Sequence, residues 1–92
     1  MTATKFTRYW FEFEFSHNIP PGLGYGCGIT AYSYDDALGI LSRDVFKGGI
    51  PTIKNLTENI DVSTLDAGHV LPNILPPTSR GVWFPYGYKN FK

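Results

Sequence analysis

The sequence lacks several features that would assign it to a particular class of protein. It contains one cysteine, Cys27, in 92 residues, so no disulfide can form within the chain, and a small domain without one is typical of a reducing compartment. No apolar run approaches the ~20 residues of a membrane span, and no secretory signal precedes the first apolar segment. We therefore expect a cytoplasmic protein that does not enter a membrane.

Net charge is absent as well. Eight basic and eight acidic side chains give a formal net charge of zero, so there is no overall field to attract nucleic acid or an anionic membrane. The charges are nevertheless unevenly divided, because five of the eight acidic residues lie within residues 1–46. Four of these acidic residues are of interest: Glu12, Glu14, Asp35 and Asp36. Folding could gather them into an acidic patch that binds a basic partner, or leave them scattered and solvated.

Aromatic residues, in contrast, are plentiful, with two Trp, six Tyr and seven Phe. The hydrophobic content of 42% and the length predict one folded domain, residues 1–92, with a single core. The core of so small a domain needs fewer aromatic side chains than the sequence contains. We therefore expect some rings to be exposed and to mark a contact surface.

The clearest local pattern is the alternation of residues 6–15, which has the period of two that a half-buried strand requires. The prolines and glycine at 20–22 cannot continue this strand. The apolar side of the strand consists of Tyr9, Phe11, Phe13 and Phe15. The other side carries three charged residues and a tryptophan: Arg8, Trp10, Glu12 and Glu14.

A glycine-rich loop is predicted at residues 16–28, followed by a short extended piece at 29–32 and then by a helix. Ser33 is suited to cap it, with Asp36 three residues later, and a pair of glycines ends it. Gly39 in its middle indicates close packing against the sheet, because glycine otherwise weakens a helix. The apolar stripe has helical spacing: Tyr34, Ala37, Leu38, Leu41 and Val45.

Beyond the helix, short strands are predicted at 52–56 and 59–62, separated by a turn, and a last strand at 80–84 is closed by a proline. A proline-rich, irregular loop precedes this last strand. We therefore predict an α+β fold: a small mixed or antiparallel sheet of three to five strands with one main helix packed on one face.

The glycine-rich segment 23–28 allows two functional interpretations. A phosphate cradle fits poorly, because no Gly-Lys-Ser/Thr ending is present and the helix cap comes five residues after the last glycine. Alternatively, Cys27 is a nucleophile with His17 or His69 as its base, although a lone cysteine is more often a small buried hydrophobe. His17, His69 and Asp66 lack the tight spacing of zinc motifs, so we expect neither a metal nor a cofactor.

The densest aromatic segment begins near the predicted last strand. If Val82 and Phe84 face the core, alternation places Trp83 on the face of the sheet that Trp10 shares. Exposed, the two indoles would anchor a protein partner, with Tyr86 as a third anchor. Alternatively, the helix or the proline-rich loop covers that face and buries both indoles.

Residues 8–15, 32–38 and 80–85 together resemble segments of small bacterial proteins, some of which look like immunity proteins of contact-dependent growth inhibition and related polymorphic toxin systems. The resemblance implies a cytoplasmic protein that binds a cognate toxin domain and blocks its active site or its cellular partner. Inhibitors of nucleases are often strongly acidic, whereas this chain has no net charge. If the partner were a nuclease, only a local acidic patch could therefore bind its basic surface.

These observations predict a protein-binding module that is not an enzyme, present as a monomer or a homodimer. Acidic residues would steer the partner and aromatic residues would anchor it: Glu12, Glu14, Asp35 and Asp36 in the first role, and Trp10, Trp83 and Tyr86 in the second. One alternative is a small enzyme or ligand-binding domain that uses Cys27 and a histidine. Another is a homodimeric structural protein whose exposed strand pairs edge to edge.

Overall fold

The computed structural model describes residues 5–15, 19, 23–47 and 49–85. In chain order the elements are β1 (Thr7–Glu14), β2 (Cys27–Ala31), α1 (Tyr34–Ile40), a π-helical continuation of α1 (Leu41–Val45), β3 (Thr52–Glu58), two short 3-10 turns (Val62–Thr64 and Leu71–Asn73) and β4 (Gly81–Phe84). The four strands form one sheet in the order β3-β1-β2-β4, and every neighbouring pair is antiparallel. The predicted α+β fold with one main helix is therefore confirmed.

β1 is an inner strand, and both of its faces contribute to the core. Its alternation predicted a half-buried strand with one outer face, and the sequence predicted a single core; the structure instead has one hydrophobic cluster on each side of the sheet. Tyr9, Phe11 and Phe13 contribute to the cluster on the helix side of the sheet, whereas Trp10 contributes to the cluster on the opposite side. The helix-side cluster is completed by one residue before β2 and by residues of β2, α1, its continuation and β4: Leu23, Cys27, Ile29, Ala31, Ala37, Ile40, Leu41, Val45 and Val82. Burial of this apolar surface is the main stabilising contribution in so small a domain.

Helix α1 begins where its cap residue predicts. Ser33 Oγ accepts the backbone N–H of Asp36 at 3.1 Å, and Asp36 in turn accepts the N–H of Tyr32 at 3.0 Å. Two backbone donors at the start of the helix are thereby satisfied. The prediction that Gly39 packs closely against the sheet is wrong, because Gly39 is exposed and a Cβ there would meet nothing within 4 Å.

The third strand is a single element where the sequence pattern predicted two. β3 continues through the predicted turn to Glu58, and Asn59 follows it with a φ of 56°. Asparagine tolerates this left-handed conformation better than most residues, so it suits the end of the strand. The predicted strand at 59–62 is therefore wrong, and its last residue, Val62, begins a 3-10 turn.

The irregular segment between β3 and β4 covers the second face of the sheet. Ile60 and Val70 are buried there against Trp10, Trp83 and Phe84. Four partly buried side chains pack around them: Val62, Leu65, Ile74 and Leu75. The N–H of Leu75 also donates to the carbonyl of Trp83 at 2.9 Å, which ties the segment to β4. The sheet thus has a helix on one face and an irregular layer on the other.

Candidate protein-binding surface

The two tryptophans that were predicted to anchor a partner lie inside the protein. Trp10 is 4% exposed and Trp83 is 1% exposed, and their ring centroids are 5.9 Å apart. Of the two alternatives that the sequence left open, the exposed pair is therefore wrong. Burial of both indoles is observed, because the irregular segment with the proline-rich loop covers that face of the sheet. Tyr86, the third predicted anchor, lies outside the described residues.

The glycines before and within β2 make room for these two indoles. A Cβ on Gly26 would lie 2.5 Å from Cζ2 of Trp10, and Gly26 has a φ of 128°. A Cβ on Gly28 would lie 2.5 Å from Cζ2 and Cζ3 of Trp83. Only glycine lets a large ring approach the backbone so closely. Packing therefore accounts for both glycines without a bound phosphate.

The four acidic residues of the predicted patch are divided between two ends of the sheet. Asp36 binds the N–H of Tyr32, which lies just beyond β2 at the end where β1 begins. Glu12 and Glu14 lie toward the other end of β1, six and eight residues beyond Phe6, the residue opposite Tyr32, which is roughly 20–26 Å along the strand by its rise per residue. Asp35 is exposed beside Asp36. The scattered arrangement, rather than a single acidic patch, is the one observed.

Glu12 has contacts within the sheet. It accepts a hydrogen bond from the side-chain amide of Asn55 at 3.1 Å and another from Nε1 of Trp10 at 3.3 Å. The bond from Asn55 connects β3 to β1, and the bond from Trp10, which lies within β1, gives the buried indole a partner for its N–H. Glu14, at the end of β1, is exposed.

Cys27 is poorly placed for catalysis. Its side chain is fully buried, and burial raises the pKa of the thiol well above its ordinary value, so little thiolate forms near neutral pH. His69, one of its two predicted bases, is exposed and stacks on Tyr25 with 4.9 Å between ring centroids. His17, the other, lies outside the described residues. Within the described ranges, no three His, Cys, Asp or Glu side chains are grouped closely enough to hold a metal ion.

An exposed aromatic cluster lies instead at the end of the sheet where β1 begins. Because Thr7 pairs with Ala31, Phe6 and Tyr32 face each other one position further on, with 5.1 Å between their ring centroids. Tyr32 is 56% exposed and Phe6 is 39% exposed. The guanidinium carbon of Arg80 lies 5.2 Å from the centroid of the Tyr32 ring, within the range of a cation–π contact. We call Phe6, Tyr32 and Arg80 the aromatic patch.

Asp36 fixes the arrangement of the aromatic patch. Its carboxylate accepts hydrogen bonds from Nε of Arg80 at 2.8 Å and from Nη2 at 2.5 Å, in addition to the Tyr32 N–H. The hydrogen bonds from Arg80 are the main reason that the pKa of Asp36 is lowered from 3.8 to about 2. Asp36, which was predicted to steer a partner, therefore holds the side chain of Arg80 and the backbone of Tyr32.

Sequence reasoning missed this cluster because its members come from three separate parts of the chain. Phe6 precedes β1, Tyr32 follows β2 and Arg80 precedes β4, so no local spacing relates them. The signal that could have found the pair of rings is the register of β1 against β2, which strand pairing determines and sequence periodicity does not.

Comparison with known proteins adds no relative, since no family model, no curated protein and no solved structure matches the chain. Among the described residues, no helix has the length and apolar character needed to cross a membrane.

Proposed function

We propose that this protein is a protein-binding module and that the aromatic patch is the centre of its binding surface. The observation that carries the proposal is the exposure of Tyr32 and Phe6 beside Arg80, in a chain whose two tryptophans are buried. Tyrosine and arginine are enriched among the residues that dominate interface energies, because each combines a large contact area with hydrogen-bonding groups.

The ordering of the aromatic patch supports this role. Binding usually costs about 0.5–1.5 kcal/mol for each flexible side chain that becomes immobilised. Here the Tyr32 ring already contacts Phe6 and Arg80, and Arg80 is already held by Asp36. Much of the ordering is therefore complete before a partner arrives, and more of the contact energy is available for affinity.

The charge of the surface favours a partner with a mixed apolar and polar surface. Asp36 neutralises Arg80, and the chain as a whole has a formal net charge of zero. Electrostatic steering of the partner is weak under these conditions. We expect the association rate to depend little on salt, with affinity coming mainly from contacts at the aromatic patch.

The resemblance to immunity proteins supplies the first candidate partner, a cognate toxin domain that the protein would neutralise in the cytoplasm. The test begins with the tagged wild-type chain in an extract of its native host that also contains the products encoded beside it. Bound proteins are identified by mass spectrometry, and the partner is then purified and titrated calorimetrically. We expect Tyr32→Ala to weaken binding by about 2 kcal/mol or more, as for a central interface residue.

Tyr25→Ala is the matched control for this experiment. Tyr25 is 45% exposed and lies before β2, at the opposite end of that strand from Tyr32. Removing it deletes a tyrosine ring of comparable exposure without touching the aromatic patch. Equal losses in Tyr25→Ala and Tyr32→Ala would contradict the proposed surface, and repeated failure to capture any stoichiometric partner would contradict the proposed function.

A further inference from the structure

The hydrogen bonds of the irregular segment between β3 and β4 fall into two groups. Those that tie the segment to the sheet lie at its two ends: Ile60 with Arg8 of β1, Leu75 with Trp83 of β4, and Pro77 with Thr30 of β2. Those made by residues 61–74, which we call the lid, all stay within residues 61–74. Among the described residues, no hydrogen bond therefore joins the lid to a strand or to the helix.

Hydrogen bonds inside the lid hold it together as one body. In its first half, the side chain of Asp61 accepts the N–H and the hydroxyl of Ser63 at 3.0 Å and 2.7 Å. In its second half, Asp66 accepts the N–H of His69 at 2.9 Å, and the carbonyl of His69 accepts the side-chain amide of Asn73 at 2.8 Å. A surface segment that satisfies its own hydrogen bonds in this way moves as a unit.

Apolar contacts hold the lid on the sheet. Val70 is 1% exposed and belongs to the cluster that contains Trp10 and Trp83. Three further side chains of the lid pack there partly buried: Val62, Leu65 and Ile74. An exposed ring contact adds to these, because His69 stacks on Tyr25 with 4.9 Å between ring centroids. Most residues of the lid are exposed, so lifting it returns much less apolar surface to water than unfolding the domain does.

The helix-side cluster is built into regular structure instead. Its residues lie mainly on β1, β2, β4 and α1 with its continuation, and these strands are joined to one another by antiparallel pairing. Exposing that cluster therefore requires breaking the sheet or the helix, whereas exposing the face under the lid requires neither. Segments that have few buried contacts and no ladder hydrogen bonds open at a lower free energy than the sheet that they cover.

The closed lid leaves a buried donor without an acceptor. Nε1 of Trp83 is shielded from solvent and has no hydrogen-bond partner among the described residues, whereas Nε1 of Trp10 donates to Glu12. A buried N–H without a partner raises the free energy of the state that buries it. Water would pair with this N–H once the lid is lifted, so opening removes a penalty that the closed state carries.

We propose that the lid opens as one unit about Ile60 and Leu75 and uncovers Trp10 and Trp83 while the helix-side cluster stays folded. The hydrogen bonds of Ile60 to β1 and of Leu75 to β4 anchor the two ends, which are two strand spacings, roughly 10 Å, apart across the sheet. Opening exposes two neighbouring indoles, whose ring centroids are 5.9 Å apart. The protein therefore has a second aromatic surface that is present only in the open state.

The inference does not depend on the proposed function. Arg80 is the member of the aromatic patch that lies nearest to the lid in the chain, and Asp36 holds it in place. Between Arg80 and the lid, Pro77 is bonded to Thr30 of β2. Opening of the lid therefore leaves the aromatic patch intact, and the two proposals are tested by different measurements.

The test compares thiol labelling in native buffer at two introduced cysteines of equal burial. Val70→Cys places a thiol under the lid and Val82→Cys places one in the helix-side cluster, at positions that are 1% and 0% exposed. Cys27, fully buried in the helix-side cluster, is the reference in both variants, and peptide mapping by mass spectrometry assigns each label. We expect the thiol at position 70 to react at least about a hundredfold faster than the other two, because only local opening releases it.

Hydrogen exchange of the indole N–H of Trp83 gives a second measurement in the unmodified chain. Burial alone protects this N–H among the described residues, so its exchange reports the opening of the lid. Leu65→Ala removes part of the apolar contact of the lid and should speed both this exchange and labelling at position 70 about tenfold, without affecting Cys27. Leu71→Ala is the matched control, because it makes the same change in the lid at a half-buried side chain outside that cluster.

Fast labelling at position 70, slow labelling at position 82 and equal acceleration of both signals by Leu65→Ala would support the proposal. Labelling at position 70 as slow as at position 82, or an effect of Leu65→Ala on only one of the two signals, would overturn it. Circular dichroism identifies any variant that does not fold. If Val70→Cys is such a variant, exchange in the wild type decides, and an indole N–H of Trp83 that exchanges as slowly as the amides between β1 and β2 would overturn the proposal.

Discussion

The indole of Trp83 lies against the backbone of Gly28 in the neighbouring strand. A Cβ at residue 28 would be 2.5 Å from two atoms of the six-membered ring, far inside van der Waals contact. Gly28 pairs with Phe84 and Ile29 pairs with Val82, so Trp83 is the extra residue of a β-bulge in β4. The bulge and the glycine together allow one indole to fill the core on the irregular side of the sheet.

Gly28→Ala is expected to destabilise the protein by about 1–3 kcal/mol, as overpacking of a core usually does. The added methyl group would displace the Trp83 ring, which is 1% exposed and has little space to move. Urea unfolding followed by circular dichroism measures this loss as a lower midpoint. An unchanged midpoint would show that the indole does not pack against residue 28.

Gly39→Ala makes the same chemical change in an open environment and should stabilise the protein. Gly39 lies inside α1, is exposed, and would gain a methyl group with no neighbour within 4 Å. Because glycine costs a helix about 0.5–1 kcal/mol relative to alanine, the urea midpoint should rise by a corresponding amount. A loss of stability would mean that Gly39 makes contacts absent from this structure.

Asp36→Asn should lower stability in a way that depends on pH. The pKa of Asp36 is lowered from 3.8 to about 2, first by its hydrogen bond with Arg80. Its ionised form therefore stabilises the fold above the unfolded-state pKa, and this contribution disappears as the pH falls through the folded-state value. We expect a loss of about 1 kcal/mol near neutral pH, a modest figure because solvent screens the partly exposed pair.

Chemical unfolding of the wild type and of Asp36→Asn at several pH values measures this dependence. The difference between the two proteins should be constant above about pH 5 and should shrink between about pH 4 and pH 2. Asp35→Asn is the matched control, because it removes a carboxylate from the same helical turn and leaves the Arg80 pair intact. A difference that stays constant down to pH 2 would argue against a role for the ion pair in stability.

Local patterns predicted the elements whose causes are local, and failed where distant segments meet. The alternation in β1 and the Ser33 cap act within a few residues, so both were visible in the sequence. Burial of the Trp10 face depends on an irregular, proline-rich segment that has no period to detect. The predicted break within β3 was wrong because pairing with β1 outweighs the weak turn preference of residues 57–58.

The same limit applies to the candidate surface. Tyr32 and Arg80 are 48 residues apart in the sequence, and they meet because β2 and β4 are neighbours in the sheet. Aromatic content predicted that some rings would be exposed, and the structure shows several: Phe6, Tyr25, Tyr32 and Tyr34. Which rings they are depends on strand order, and strand order follows from the energy of the whole fold.

Cys27 is expected to resist thiol reagents in the folded protein. Its side chain is fully buried, and burial raises its pKa, so reaction requires opening of the structure and should be at least about a thousandfold slower than in urea. The variant Thr78→Cys adds an exposed thiol on the loop before β4, which provides an internal standard. In this variant, the introduced thiol should react promptly in native buffer while Cys27 does not, and both thiols should react in urea. Prompt reaction of Cys27 in the folded wild type would contradict its burial and would return the nucleophile hypothesis to consideration.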